Sequence, residues 1–116
     1  TRKKDVENTG DVVFIQEEPV AFIRGLKQQA GKDIWLIGGG EINTLLLNAG
    51  LIDVLEIFTM PVILPGGIGL FGGIPRETRL ELLQTKAFAS GAVRMTYKVD
   101  NSIALKTLWK PSNRIL

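Results

Sequence analysis

The spacing of apolar residues predicts a strand and then a helix in the first thirty positions. Residues 11–16 (DVVFIQ) form a short β-branched run behind the turn-like tripeptide NTG, which predicts a buried strand. Apolar residues then recur every third position behind Pro19, a residue suited to the first turn of a helix. This pattern predicts a helix over about 18–30, with Gly25 as an interior weakness.

The next thirty positions repeat the alternation of strand and helix. Residues 33–37 (DIWLI) are too few for a helix and suit a buried strand, and three glycines follow at 38–40. One helical face then carries apolar residues up to Gly50, namely Ile42, Leu45, Leu46 and Ala49. A further strand is predicted at 54–60. Alternating strands and helices favour an α/β domain with a mostly parallel sheet flanked by helices.

The pattern changes after residue 60. The segment PVILPGGIGLFGGIPRE is rich in glycine and proline, which predicts a long irregular loop, and its apolar content indicates that the loop packs down. Residues 79–88 and 92–99 flank Ala89-Ser90-Gly91 and predict an antiparallel hairpin with one solvated face. Residues 100–116 lack a clear period and stay unassigned.

Composition narrows the function classes. The 116 residues suit one domain, and a formal charge of +2 is too small to indicate a nucleic-acid or membrane partner. Cysteine and histidine are absent, which excludes disulfides, thiolate metal sites and histidine-dependent triads, and we expect no metal site. No apolar run reaches the roughly 18 residues of a membrane span, so a cytoplasmic location is expected. Because the sequence begins with Thr1, we expect it to be part of a longer product.

The three glycines are the strongest chemical signal. A strand that ends in glycines and opens a helix presents backbone N–H groups and the positive end of a helix dipole, which suits a phosphate. The alternative is that Gly38, Gly39 and Gly40 only permit a tight turn. The spacing also lacks the third glycine of the dinucleotide-binding fingerprint, and Asp53 is not placed at the end of a following strand.

The segment IWLIGGGEINTLLLNAGLIDVLEIFTMPVILPGGIGLF resembles the second half of the dihydrofolate reductase superfamily, especially its bacterial riboflavin-biosynthesis reductase-type branch. The resemblance covers about residues 1–99, so this range is expected to be the C-terminal part of a dihydrofolate reductase-like domain, with 100–116 a tail. The features that precede Thr1 in the family, including its first strand and mobile loop, are absent from this sequence. We therefore expect a missing N-terminal segment or a homo-oligomer, such as a homodimer, to complete the fold.

The resemblance implies a cofactor site for NADPH. By position, Gly38, Gly39 and Gly40 would form the turn near the pyrophosphate and nicotinamide, commonly with a cis peptide between the first two, and Glu41 and Ile42 would open the helix. The remaining implied contacts are Thr1 and Arg2 at the 2′-phosphate, Leu36 and Ile37 at the nicotinamide, and Thr59 near the substrate. Arg2 could equally be a frayed terminal charge, Thr59 a simple strand residue, and Leu36 and Ile37 simple core. No catalytic proton donor is identified.

The implied function is an NADPH-dependent oxidoreductase that transfers hydride to a small molecule, a pteridine or aminopyrimidine-like ring. The glycine-rich loop favours riboflavin biosynthesis over folate reduction. Two alternatives stay open: a non-catalytic nucleotide-binding or assembly module with the same fold, and a structural fragment that pairs with its missing half.

Overall fold

The structure is a computed structural model that describes residues 7–8 and 10–102. The chain divides into two compact units, Thr1–Leu36 and Ile37–Leu116. The described part contains helices α1 (Pro19–Lys27) and α2 (Gly40–Asn48) and strands β1 (Val54–Thr59), β2 (Leu80–Ala87) and β3 (Val93–Val99).

Helix α1 is the regular element of the first unit. Its carboxylate cap is Glu18, whose side chain accepts hydrogen bonds from the backbone N–H groups of Val20 (3.0 Å) and Ala21 (2.8 Å). The helix ends earlier than predicted, because the N–H of Gln28 already bonds to the carbonyl of Gly25, three residues back, at 3.2 Å. The predicted helix is therefore confirmed with a shorter C-terminal end.

Neither of the first two predicted strands is formed. Within 11–16 only Val12 takes part in a single bridge, and residues 33–37 pair with no strand in the described part of the chain. Most of their apolar side chains are exposed rather than buried, with Trp35 86% and Ile37 89% accessible. The physical reason is that a strand needs a hydrogen-bonding neighbour for its backbone, and no described segment supplies one here.

The second unit contains a three-stranded sheet with the order β1-β3-β2, in which both pairings are antiparallel. The mostly parallel sheet predicted from the sequence is therefore not observed among the described residues, because the strands expected to form it are not formed. The predicted strand at 54–60 and the C-terminal hairpin are confirmed to within a residue at each end. A register shift between Leu82 and Gln84 marks a bulge in β2.

The predicted solvated face of the hairpin is only partly observed. Val99 is buried and Lys98 is exposed, but Arg94 and Thr96 are half-buried like their apolar neighbours. The Nε of Arg94 lies 3.4 Å from a carboxylate oxygen of Glu56 on β1. Arg94 and Glu56 thus form an ion pair between neighbouring strands.

Helix α2 ends in a Gly50 cap, as the sequence predicts. Gly50 has a φ of 72°, and the N–H groups of Gly50 and Leu51 bond to the carbonyls of Leu47 and Leu46 at 3.0 Å. This is the paired hydrogen-bond pattern of a Schellman motif, which satisfies carbonyls at the end of the helix. The end of α2 is therefore determined by local backbone chemistry.

The buried core of the described residues is small. It consists of the apolar side chains of Leu46, Leu47, Ala92 and Val99 and of one buried polar residue, Thr44. None of the described helices is long and apolar enough to cross a membrane. Of the tail from residue 100, only Asp100, Asn101 and Ser102 are described, and the Asn101 side chain donates to the carbonyl of Ile52 at 3.1 Å.

Candidate functional site

The glycine turn leads directly into α2. Gly38 has a φ of 103°, a conformation that favours glycine, and the Gly38-Gly39 peptide bond is cis, as the resemblance implied. Gly39 is the N-cap of α2 and Gly40 is its first residue. Since Gly39 has no side chain, no side chain caps this helix, in contrast to α1 with its Glu18 carboxylate.

The second and third glycines have opposite surroundings. A Cβ built on Gly40 would lie 2.8 Å from the carbonyl oxygen of Gly69 and 3.1 Å from the backbone nitrogen of Gly72, closer than ordinary packing allows. A Cβ built on Gly39 would meet no described atom within 4 Å. Gly40 is thus required by close packing of the chain on itself, whereas the space beside Gly39 is open.

Polar side chains of α2 hold the second half of the glycine-rich loop. The Nδ2 of Asn43 donates to the carbonyl of Leu70 at 2.8 Å, and the hydroxyl of Thr44 donates to the carbonyl of Gly72. Gly72 in turn donates its N–H to the carbonyl of Gly40 at 3.0 Å. These three bonds tie residues 70–72 to the first two turns of the helix.

A second anchor lies at the other end of α2. The Asn48 side chain donates to the carbonyl of Ile74 at 3.1 Å and accepts from the N–H of Arg76 at 2.6 Å. At 100° per residue, Asn43, Thr44 and Asn48 fall within an arc of about 140° on the helix surface. We call this arc the polar clasp.

Sequence reasoning missed the polar clasp. Asn and Thr are poor formers of helix interiors, so their presence at three positions of a nine-residue helix was the available signal. The prediction that the loop packs down through its apolar side chains holds only in part: the backbone of residues 70–76 is anchored by hydrogen bonds and Phe71 is half-buried, but Leu70 and Ile74 are exposed. The side chains of Ile63 and Ile68 are 98% and 97% exposed. These apolar residues in the first half of the loop therefore do not pack against the described part of the chain.

The remaining predicted site residues are placed separately. Glu41 is exposed and Ile42 half-buried in the first turn of α2, and Ile37 precedes the glycines as an exposed side chain. Leu36 is exposed at the end of the first unit, and Thr1 and Arg2 lie outside the described residues. Of the predicted cofactor contacts, residues 37–42 therefore lie in one continuous segment of the second unit.

Thr59, the residue predicted to lie near the substrate, is the last residue of β1. It is exposed and stands opposite Val93 of β3 in the antiparallel register. Among the described residues, no group of three or more His, Cys, Asp or Glu side chains is arranged to hold a metal ion.

Comparison with known proteins identifies sequence relatives of this chain. The uncharacterized proteins YyaP and YwjB of Bacillus subtilis (strain 168) are 33% identical over 95 residues and 41% identical over 86 residues. These matches cover 82% and 74% of this chain but 50% and 49% of the two relatives, so the chain spans about half of their length.

Solved structures are also similar to this chain. One of them is a crystal structure of a protein assigned to riboflavin biosynthesis from Shewanella sp. PV-4, with a TM-score of 0.49 and 25% identity, and the match covers 54% of this chain and 36% of that one. The family model of the RibD C-terminal domain matches residues 1–94, which confirms the resemblance to the riboflavin-biosynthesis branch. The chain belongs to the RibD C-terminal domain family.

Proposed function

We propose that this chain provides part of an NADPH-dependent reductase that transfers hydride to a pteridine or aminopyrimidine-like ring. Membership of the RibD C-terminal domain family points to a reductase-like function in riboflavin biosynthesis. The identities of the cofactor and of the substrate are part of this proposal. NADPH, when bound, supplies the hydride, and the chain's own residues bind and orient the reactants.

The observation that carries the proposal is the open, uncapped turn at Gly38-Gly39. The first N–H groups of a helix and its dipole attract anions, and a missing Cβ lets a ligand approach the backbone closely. The open space at Gly39 fits a ligand better than it fits a packing requirement, because Gly40 alone already permits the close contact with residues 69–72. We place the pyrophosphate and nicotinamide end of NADPH beside this turn.

The Glu41 carboxylate limits where the phosphates can lie. Glu41 stands in the first turn of α2, where its negative charge already complements the helix dipole. A pyrophosphate placed directly beside this carboxylate would be repelled. The proposed binding position is therefore on the Gly38-Gly39 side of the helix end.

An exposed apolar side chain supplies a surface for the nicotinamide. Ile37 belongs to the same unit as the turn, directly precedes it and is 89% accessible. Leu36 is proposed as a nicotinamide contact on the resemblance alone. Covering such side chains with a ring removes apolar surface from water and is favourable. Thr59 is proposed as a substrate contact, since its hydroxyl is an exposed donor and acceptor at the end of β1.

Calorimetric titration of the intact protein tests the proposal. Wild-type protein should bind NADPH, and Gly39→Val should abolish this binding because a branched side chain would occupy the open space. Gly31→Val is the matched control, since Gly31 also has open space and an ordinary φ but belongs to the first unit, whereas the turn belongs to the second. Equal effects of the two substitutions would contradict the assignment.

An assay of NADPH oxidation separates the reductase from the non-catalytic alternative. The protein is incubated with NADPH and either a pteridine or an aminopyrimidine, and the loss of the cofactor absorbance is followed. Oxidation that depends on the added ring supports the reductase. Binding of NADPH without turnover of either class of substrate would favour the nucleotide-binding module.

A further inference from the structure

Asn43 touches both parts of the candidate site. Its backbone N–H donates to the carbonyl of Gly39 at 3.0 Å, which closes the first turn of α2. Its side-chain Nδ2 lies 3.8 Å from the position of a Cβ on Gly38, the nearest described atom to that position. The same nitrogen donates to the carbonyl of Leu70 at 2.8 Å.

We propose that Asn43 is a positioning residue that holds the glycine turn and residues 69–72 in one arrangement, and thereby shapes the cofactor site. This inference rests on the proposed function, because it assumes that the open turn binds NADPH. Asn43 itself acts through the backbone of the turn and the loop.

The geometry gives the amide a role that an apolar side chain could not fill. Gly38 has a φ of 103° and Gly40 packs closely against Gly69, so the turn and the loop lie side by side. Asn43 links the two segments, because its backbone N–H bonds to the Gly39 carbonyl and its side-chain amide bonds to the Leu70 carbonyl. If the side-chain bond is lost, the hydrogen bonds that remain between residues 70–72 and α2, among the described residues, are those of Gly72.

Asn48 provides a matched comparison within the same helix. It also uses its side-chain amide to hold the loop, but at residues 74 and 76, and these two hydrogen bonds do not reach the glycine turn. A general loss of loop anchoring should follow from changing either asparagine. A specific change at the cofactor site should follow only from changing Asn43.

The test compares Asn43→Leu and Asn48→Leu in the intact protein. Leucine keeps the side chain's branching and adds no charge, so an anionic ligand is not repelled electrostatically. Thermal unfolding should show a similar loss of stability in both variants. At a temperature where both are folded, Asn43→Leu should weaken NADPH binding by about tenfold, which corresponds to about 1.4 kcal/mol, and Asn48→Leu should leave it unchanged.

Amide hydrogen exchange adds a readout that needs no ligand. The Gly72 N–H should exchange faster in Asn43→Leu than in Asn48→Leu, because only Asn43 anchors the adjacent Leu70. If wild-type protein binds NADPH and Asn43→Leu binds it equally well, the inference is overturned while the proposed function stands. If wild-type protein fails to bind NADPH, the proposed function fails and this inference fails with it.

Discussion

A single methyl group at Gly40 or at Gly39 tests the division of roles within the glycine turn. In Gly40→Ala, the new Cβ would lie 2.8 Å from the Gly69 carbonyl oxygen and 3.1 Å from the Gly72 nitrogen. Both are backbone atoms and cannot rotate away as a side chain does. Residues 69–72 must therefore move away from the start of α2.

The cost follows from the bonds that this movement breaks. The Gly72 N–H bond to Gly40 and the Asn43 bond to Leu70 are each worth about 0.5–1.5 kcal/mol. Replacing glycine by alanine inside a helix stabilises the helix by up to about 1 kcal/mol, and by less at the first helical position. We expect Gly40→Ala to destabilise the protein by about 1–2 kcal/mol, within the range of overpacking substitutions. Gly39→Ala meets open space and should cost only about 0.5 kcal/mol through the weaker N-cap.

Urea denaturation of wild type and both variants measures the difference. Each kcal/mol corresponds to about 4–8 °C in the unfolding midpoint of a domain of 60–100 residues, so calorimetry gives an independent reading. Circular dichroism before unfolding is the control that the variants retain their helices. The reasoning is refuted if Gly40→Ala is as stable as wild type, or if Gly39→Ala loses as much stability as Gly40→Ala.

Three further predictions address the ligand, the helix and the sheet. If Arg2 holds the 2′-phosphate, Arg2→Ala should weaken NADPH by about 1.5–3 kcal/mol and NADH much less in calorimetry, and equal losses would contradict the role. Thr44→Val should lower the free energy of unfolding by about 0.5–1.5 kcal/mol, because the half-buried Gly72 carbonyl loses its donor; unchanged urea stability would count against this bond. The edge strand β2 exposes Leu82 (54%) and Leu83 (53%), so the protein should self-associate, and Leu83→Lys should reduce the mass found by light scattering. A monodisperse wild-type monomer would refute the last prediction.

The elements that the sequence predicted well are those whose causes are local. Helix α1 follows from Pro19 and the Glu18 cap, and the end of α2 follows from Gly50 in a left-handed conformation. The β2–β3 hairpin follows from two β-rich runs around Gly91, whose φ is 92°. Each of these signals is contained within a few residues, so periodicity and turn chemistry suffice.

The strands at 11–16 and 33–37 depend instead on non-local partners. A short apolar run has the same sequence pattern whether or not a neighbouring strand exists, because the spacing of its apolar residues carries no information about strand pairing. Within the described residues these runs stay unpaired, and Trp35 remains exposed. The expected parallel sheet is not observed among the described residues for this reason, while the antiparallel pairs β1–β3 and β2–β3 both lie inside one unit.

The candidate site shows the same division between local and non-local causes. The glycines could be selected from the sequence because three in a row between apolar runs are a local feature. Asn43, Thr44 and Asn48 could not, since their partners lie 26 to 28 residues away. Only the unusual presence of short polar residues inside a helix hinted at a role beyond solvation.

The two halves of the glycine-rich loop have different physical causes of order. Residues 70–76 receive hydrogen bonds from three side chains of α2, so their position follows from the helix. Ile63 and Ile68 in the first half are almost fully exposed, and the Val62 N–H donates to the nearby carbonyl of Met60 at 2.8 Å. Apolar side chains left in water favour any partner that covers them. A ligand or second chain that orders this loop should therefore act on residues 61–68, while the polar clasp keeps residues 70–76 and the glycine turn in place.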